Sequence, residues 1–264
     1  MKDFAVFWGC TIQTRFPFIE KSTRMVLESF KLPYKDIDGF TCCPEKSLVN
    51  NVDHGAFVVT AARNVALVDE LGYDLVSPCT GCVSNLATVK GELKANPREK
   101  AEVNGLLKEI GREFTGTASL KHLVPFFHDA VGIHTIKQKM KRDFKGMRIA
   151  LHYGCHMIRP SHALKADDPL NPVKFDNLIR GLGAESLQFM TKLMCCGQGL
   201  DRIDEHDKAL AFARVKLKEL KAMKAEAQDG TTRVRFRLSQ LGTDACNAVP
   251  HFGVAFANDL YELI

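Results

Sequence analysis

Five cysteines crowd into the first third of this 264-residue chain: Cys10, the adjacent pair Cys42 and Cys43, and the two ends of Cys79-Thr80-Gly81-Cys82. Their spacing is C-x31-C-C-x35-C-x-x-C. A looser set follows, with Cys155, then Cys195-Cys196, then a single Cys246. The two sets account for all nine cysteines. Thiolates bind soft and borderline metals, and four or more that converge suit zinc or an iron–sulfur cluster. A C-x-x-C turn places both sulfurs on one side, which is why both kinds of site use it.

Spacing alone leaves three readings. A closed zinc site would take Cys42, Cys43, Cys79 and Cys82, yet adjacent cysteines normally point apart and Cys10 would be idle. A dithiol redox pair at Cys79 and Cys82 gives the other three nothing to do. An iron–sulfur cluster with more than four thiolates uses all five. An odd total of nine cannot pair off internally, and dense cysteine in a reducing compartment is more often metal-binding or redox-active than a disulfide framework.

Composition sets the context. Hydrophobic content of 45% and charged content of 25% are ordinary for a soluble globular protein. A formal charge of +5 makes no case for nucleic acid, though a modest basic face suits an acidic partner or an anionic substrate. Asp3 interrupts the start of the chain, so no secretory signal is expected, and no run reaches the roughly 18 apolar residues of a spanning helix. The expectation is a cytoplasmic protein.

The elements around the cysteines read as α/β. Phe4–Trp8 reads as a strand ending at Gly9-Cys10, Ile19–Phe30 as a helix, and His54–Gly72 as a longer helix stopped by glycine. Asp74–Pro78 reads as a buried strand delivering Cys79 and Cys82, ahead of a helix near Asn85–Ala95. Residues 97–145 read as a mostly helical connector. Then Arg148–Tyr153 reads as a strand into Gly154-Cys155, Phe175–Gly183 as a helix, Glu185–Met190 as a strand before Cys195-Cys196, and His206–Gln228 as a long amphipathic helix. Phe-Trp-Gly-Cys against His-Tyr-Gly-Cys, each followed by Cys-Cys, predicts an internal duplication. The expected fold is two similar Rossmann-like α/β lobes, 1–145 and 146–264, with cysteine loops at the carboxyl ends of strands, where ligands bind in open sheets.

The motif, with FWGCTIQTRFPFIE, CCPEKSLV, LVSPCTGCVSNL and LHYGCHMIRPS around it, resembles the cysteine-rich CCG family of heterodisulfide reductase B subunits. The resemblance covers roughly residues 1–200, and heterodisulfide-reductase-like complexes of sulfur oxidisers are related. It implies a noncubane [4Fe-4S] cluster at each five-cysteine motif. Two facing clusters would then cleave a disulfide reductively. Cys10, Cys42, Cys43, Cys79 and Cys82 match the first motif in full. Cys155, Cys195 and Cys196 match the second, but Thr231-Thr232-Arg233-Val234 stands where its C-x-x-C is expected, and Cys246 comes late. Whether a second cluster forms is left open by this departure, which favours a paralogous complex. The resemblance also implies an iron–sulfur C-type subunit and a flavin-carrying A-type subunit as partners, with a thiol or disulfide as substrate.

Other residues bear on the chemistry. His152 and His156 flank Cys155 and are candidates to protonate a departing thiolate, since histidine titrates near neutrality; packing or a hydrogen bond to a cluster sulfur is the plainer role. Arg159 is a candidate for an anionic substrate tail. Phe126-Phe127-His128 reads as core. Lys137–Lys145 reads as a solvated basic face, or as a docking patch for an electron-donating subunit. No G-x-G-x-x-G follows a strand. The reaction expected is disulfide reduction or thiol or sulfane-sulfur oxidation. The alternative is a non-catalytic electron relay or zinc-stabilised scaffold.

Overall fold

The computed structural model describes residues 2–223. Cys246, the 231–234 segment and the end of the helix expected to reach residue 228 lie outside these residues.

Four short parallel strands form the main sheet: β1 (Phe4–Val6), β2 (Tyr34–Lys35), β3 (Asp74–Ser77) and β4 (Leu120–His122), in the order β2-β1-β3-β4. The register pairs Phe4 with Tyr34 and with Asp74, and Leu75 with Leu120. Parallel neighbours need crossovers. The chain supplies them with α1 (Gly9–Arg15), α2 (Pro17–Ser29), α3 (His54–Glu70), α4 (Thr80–Ala95) and α5 (Pro97–Lys108). A second parallel pair, β5 (Arg148–Ala150) and β6 (Glu185–Leu187), follows, with the helical turn α6 (Cys155–Ile158), α7 (Lys174–Gly181) and α8 (His206–Ala222). The α/β class and its parallel sheets are as expected.

Strand alternation decides the core. Phe4, Val6 and Trp8 pack in a cluster with Leu123, Phe127, Leu151, Tyr153, Phe175 and Leu178. Ala5, Phe7 and Leu75 pack in another with the apolar faces of α3 and α4. Both faces of β1 are therefore buried, as a strand covered on both sides requires. The first cluster draws on residues from either side of the expected 145/146 division, which falls in a turn ahead of β5. The two cysteine-bearing parts resemble each other where strand turns to cysteine. Among the described residues their sheets do not, having four strands and two.

Three expectations need correction. The helix expected near Asn85 starts at Thr80, so Cys79 is its N-cap and Cys82 lies in its first turn. The connector 97–145 is not simply helical: Leu120–His122 completes the sheet, and its three residues were too short a run to stand out between charged neighbours. Phe126 and Phe127 are core, but His128 is only partly buried and bonds Asp129.

Leu86 on α4 is fully buried in the second cluster. Leu86→Ala should lower unfolding stability by about 2–5 kcal/mol, whereas Phe18→Ala, at a side chain 52% exposed, should leave the urea midpoint close to that of the parent.

Candidate metal centre

Sheet order places the first five cysteines. In a 2-1-3-4 sheet the chain leaves β1 in one direction and β3 in the other, which opens a crevice between their carboxyl ends. Cys10 follows β1, and Cys79 and Cys82 follow β3, so they flank that crevice. Cys42 and Cys43 come from the loop after β2. The approach is tight: Gly9 has φ +69°, and a β-carbon there would lie 2.7 Å from the Cys82 sulfur.

Several polar side chains fix the loops. Trp8 donates its indole N–H to Asp36 at 2.8 Å, and the Arg24 guanidinium lies 4.5 Å over the Trp8 ring while pairing with Asp36 at 2.6 Å. Asn64, fully buried on α3, accepts from the Thr41 N–H at 2.9 Å and donates to the Cys42 carbonyl at 3.1 Å. Asn85 donates to the Pro44 carbonyl at 2.6 Å and sits 3.6 Å from the Cys43 sulfur. His122 at the end of β4 accepts from the Val124 N–H at Nδ1, which leaves Nε2–H to donate to the Pro78 carbonyl at 3.1 Å. Burial pushes its pKa down to about 4, so a neutral imidazole braces the residue before Cys79. The sequence reading missed Asn64, Asn85 and His122. Asn64 left a trace there, as the polar residue inside the apolar stripe of the 54–72 segment.

The sulfurs run in a line. Cys10 lies 3.9 Å from Cys42. Cys42 shares a hydrogen bond with Cys43, Cys43 with Cys82, and Cys82 with Cys79. Cys10 and Cys42 are exposed, Cys43 and Cys82 are buried and Cys79 is intermediate, so the line enters from solvent and its middle is buried. The thiols are pushed in alternate directions along it. Cys42 is pushed up, first by its hydrogen bond to Cys43, and Cys43 is held well down by its bonds from Cys42 and Cys82. Cys82 is pushed up by Cys43 and Cys79. Cys79 is held down by the Cys82 thiol, with the Cys82 and Gly81 N–H groups of the α4 N-terminus adding to this.

The second set gathers three cysteines around one lysine. Cys155 opens α6, Cys195 and Cys196 end the loop after β6, and the Gly197 N–H points at the Cys195 sulfur at 3.3 Å. Gly197 has φ +93°, and a β-carbon there would meet the Ala209 carbonyl at 2.5 Å, so α8 packs directly on this loop. Lys216 of α8 is 6% exposed and donates to His152 Nδ1 at 2.7 Å and to the Met194 carbonyl at 2.8 Å. His152 is buried, and burial followed by the Lys216 charge lowers its pKa to about 4. It is a neutral acceptor rather than an exposed proton donor. His156 and Arg159 are exposed.

The two sets meet at a seam. A β-carbon on Gly81 would lie 3.9 Å from both the Cys79 sulfur and His156 Nδ1, and one on Gly154 would lie 3.8 Å from Thr80 Oγ1. Arg202 bridges to Glu45 at 3.3 Å. Ser84 donates to the Arg159 carbonyl at 3.3 Å.

Among the described residues all eight cysteines are free thiols. No group of three or more His, Cys, Asp or Glu there closes around a single ion. The donor set fits a metal–sulfur group with several metal atoms. Neighbouring sulfurs this close cannot all ionise unless cations sit among them, and thiolate donors select zinc, copper(I) and iron–sulfur clusters.

Comparison with known proteins gives the same direction. The profile of the CCG cysteine-rich domain matches residues 4–87 and 149–228. The B subunit of a ferredoxin:CoB-CoM heterodisulfide reductase from Methanosarcina mazei is 36% identical over 199 residues, covering 75% of this chain and 66% of that protein. An Archaeoglobus profundus protein, named as like the heterodisulfide reductase B subunits, is 30% identical, covering 84% of this chain and 75% of the other. The 8-methylmenaquinol:fumarate reductase membrane anchor subunit of Wolinella succinogenes is 29% identical, covering 74% and 67%. This chain thus spans just under two thirds of its Methanosarcina relative. Among the described residues no helix is long and apolar enough to cross a membrane. A Helicobacter pylori hypothetical protein of known structure shares the fold, with a TM-score of 0.60 at 15% identity over 84% of this chain and 40% of its own.

Gly9→Ala should strip the metal held by the first five cysteines, iron and zinc counted together, from anaerobically purified protein, because the new methyl group lands on the Cys82 sulfur. Gly72→Ala is the control. It has φ +67° with nothing within 4 Å, so it should cost about 1–2 kcal/mol of stability and leave metal content unchanged.

Proposed function

The chain belongs to the CCG cysteine-rich domain family, and from that premise we propose that it is the B-type iron–sulfur subunit of a heterodisulfide-reductase-like complex. Its reaction is disulfide reduction, or the reverse oxidation of a thiol or sulfane sulfur. The observation that carries the reading is the line of five sulfurs at the crevice between β1 and β3, open to solvent at Cys10 and Cys42 and buried at Cys43 and Cys82.

Cys10, Cys42, Cys43, Cys79 and Cys82 would hold the group, which the family resemblance makes a noncubane [4Fe-4S] cluster. Bound there, it would supply electron transfer and an iron site with affinity for sulfur. The chain's own residues do the rest. Burial of Cys43 and Cys82 keeps water from the middle of the line. The exposed Cys10 and Cys42 leave the outer end open to a partner or a substrate. Asn64, Asn85 and His122 hold the three loops in register without contacting substrate.

Converting a disulfide to two thiols takes two electrons and two protons. The electrons come from partner subunits, an iron–sulfur C-type and a flavin A-type, because this sequence has no flavin or nucleotide motif. Proton delivery at a departing thiolate falls to His156, which is exposed beside Gly81 at the seam. Its neighbour His152 is turned inward onto Lys216. Arg159, exposed three residues further on, is placed to take an anionic tail.

Anaerobically purified protein should hold iron and acid-labile sulfide in equal amounts. Cys79→Ala should remove about four irons per chain and abolish reduction of small disulfides by the reconstituted complex. Zinc without iron, in protein never exposed to air, would leave only the scaffold reading. Iron present with disulfide reduction unaffected by Cys79→Ala would reduce the chain to an electron relay.

A further inference from the structure

Lys216 is buried, and among the described residues its ammonium has no carboxylate partner within hydrogen-bonding distance. Its ammonium has three N–H donors, and three acceptors take them: His152 Nδ1 at 2.7 Å, the Met194 carbonyl at 2.8 Å and the Lys192 carbonyl at 3.3 Å. None is a carboxylate. The nearby acids are engaged elsewhere. Glu219, one turn along α8, accepts from the Met190 N–H at 2.6 Å and from the N–H and hydroxyl of Thr191 at 2.9 and 2.6 Å. Asp176, 1% exposed, is bound to Lys192 at 2.7 and 2.8 Å and also accepts from Tyr153, Ser186 and Gln188.

A buried cation without a counter-charge is costly, and chains normally pair it or neutralise it. Burial disfavours the Lys216 ammonium, and the sulfurs of Cys196, Cys195 and Cys155, once ionised, favour it ahead of Glu219. Met194, whose carbonyl takes one Lys216 proton, directly precedes Cys195, and Gly197 is pressed against the backbone of α8 at Ala209. Ammonium and sulfurs are thus built into one small region by three separate segments.

We propose that Lys216 is the counter-charge of an anionic iron–sulfur group held by Cys155, Cys195 and Cys196, and so a positioning residue for a second cluster in a chain whose second motif lacks its C-x-x-C. This rests on the iron–sulfur reading above and extends it to the C-terminal set. A fixed positive charge beside such a cluster stabilises its reduced, more negative form and raises its reduction potential. A cluster stripped of that charge holds less firmly and is harder to reduce.

The test uses the full chain purified without air, with iron, sulfide and the midpoint potentials of its EPR signals as readouts. The parent should carry about eight irons. Lys216→Met should lose up to half of them, and whatever C-terminal signal survives should titrate at lower potential, while the signal that disappears in Cys79→Ala is untouched. Lys216→Arg keeps the charge and should retain both the iron and a potential close to that of the parent. Loss of iron in Lys216→Arg equal to that in Lys216→Met would show that packing rather than charge matters and would overturn the assignment. So would iron content and potentials unchanged in Lys216→Met. About four irons in the parent, all of them kept in Cys195→Ser, would remove the second cluster and leave the first site's reading standing. A parent without iron would remove both.

Discussion

Sulfurs crowded within hydrogen-bonding distance of one another cannot all carry negative charge unless something positive lies among them. The line from Cys10 to Cys79 answers that constraint with thiols pushed in alternate directions, up at Cys42 and Cys82 and down at Cys43 and Cys79. Everything around the line serves to bring it together in spite of that repulsion. The parallel sheet turns three loops toward one crevice, glycine at position 9 lets the β1 loop approach Cys82, and Asn64 and Asn85 tie the middle loop to helices that are themselves buried. Metal cations replacing the shared protons would relieve the repulsion directly.

The C-terminal set answers the same constraint differently. It has three sulfurs rather than five among the described residues, and its positive charge comes from the chain itself, in Lys216. That charge stays in place through a second buried pair, Lys192 with Asp176. Asp176 also takes the Tyr153 hydroxyl at 2.8 Å, and that oxygen in turn accepts from the Phe175 and Asp176 N–H groups at the start of α7. The strand leading to Cys155, the loop leading to Cys195 and the helix carrying Lys216 are thus coupled through polar contacts in a region with little water. Such networks are costly when half satisfied and rigid when complete.

How much of this could be read from sequence depended on which residue types announce themselves. The cysteine spacing located both sets, and short apolar runs ending in Gly-Cys located the strands behind them. β1 was readable as a continuous apolar run because both of its faces are buried. The start of α4 was misplaced because Cys-Thr-Gly-Cys reads as a loop, whereas packing continues the helix back to Thr80. β4 stayed hidden because three residues with a lysine in the middle carry no periodic signal, and only pairing with β3 makes them a strand. Lys192 and Lys216 looked like ordinary members of a lysine-rich surface. Nothing in a helix pattern distinguishes the one lysine that turns inward, because its burial depends on acceptors contributed by residues 152 and 194, which are remote in sequence.

The asymmetry between the two sets bears on how they work across their seam. Thr80 and Gly81 at the head of α4 face Gly154 and His156 at the head of α6. Two equal arrays facing each other would treat a substrate sulfur alike from either side. Here, among the described residues, one side offers a line of five sulfurs and the other three sulfurs in the region of a buried lysine. A fixed cation raises the electron affinity of whatever the three sulfurs hold, so electrons reaching the seam would settle on the C-terminal side. A sulfur leaving with negative charge would be better stabilised there as well, close to exposed His156. If Lys216 serves such a group as proposed, that one buried lysine, rather than the number of cysteines on either side, would bias where charge settles across the seam.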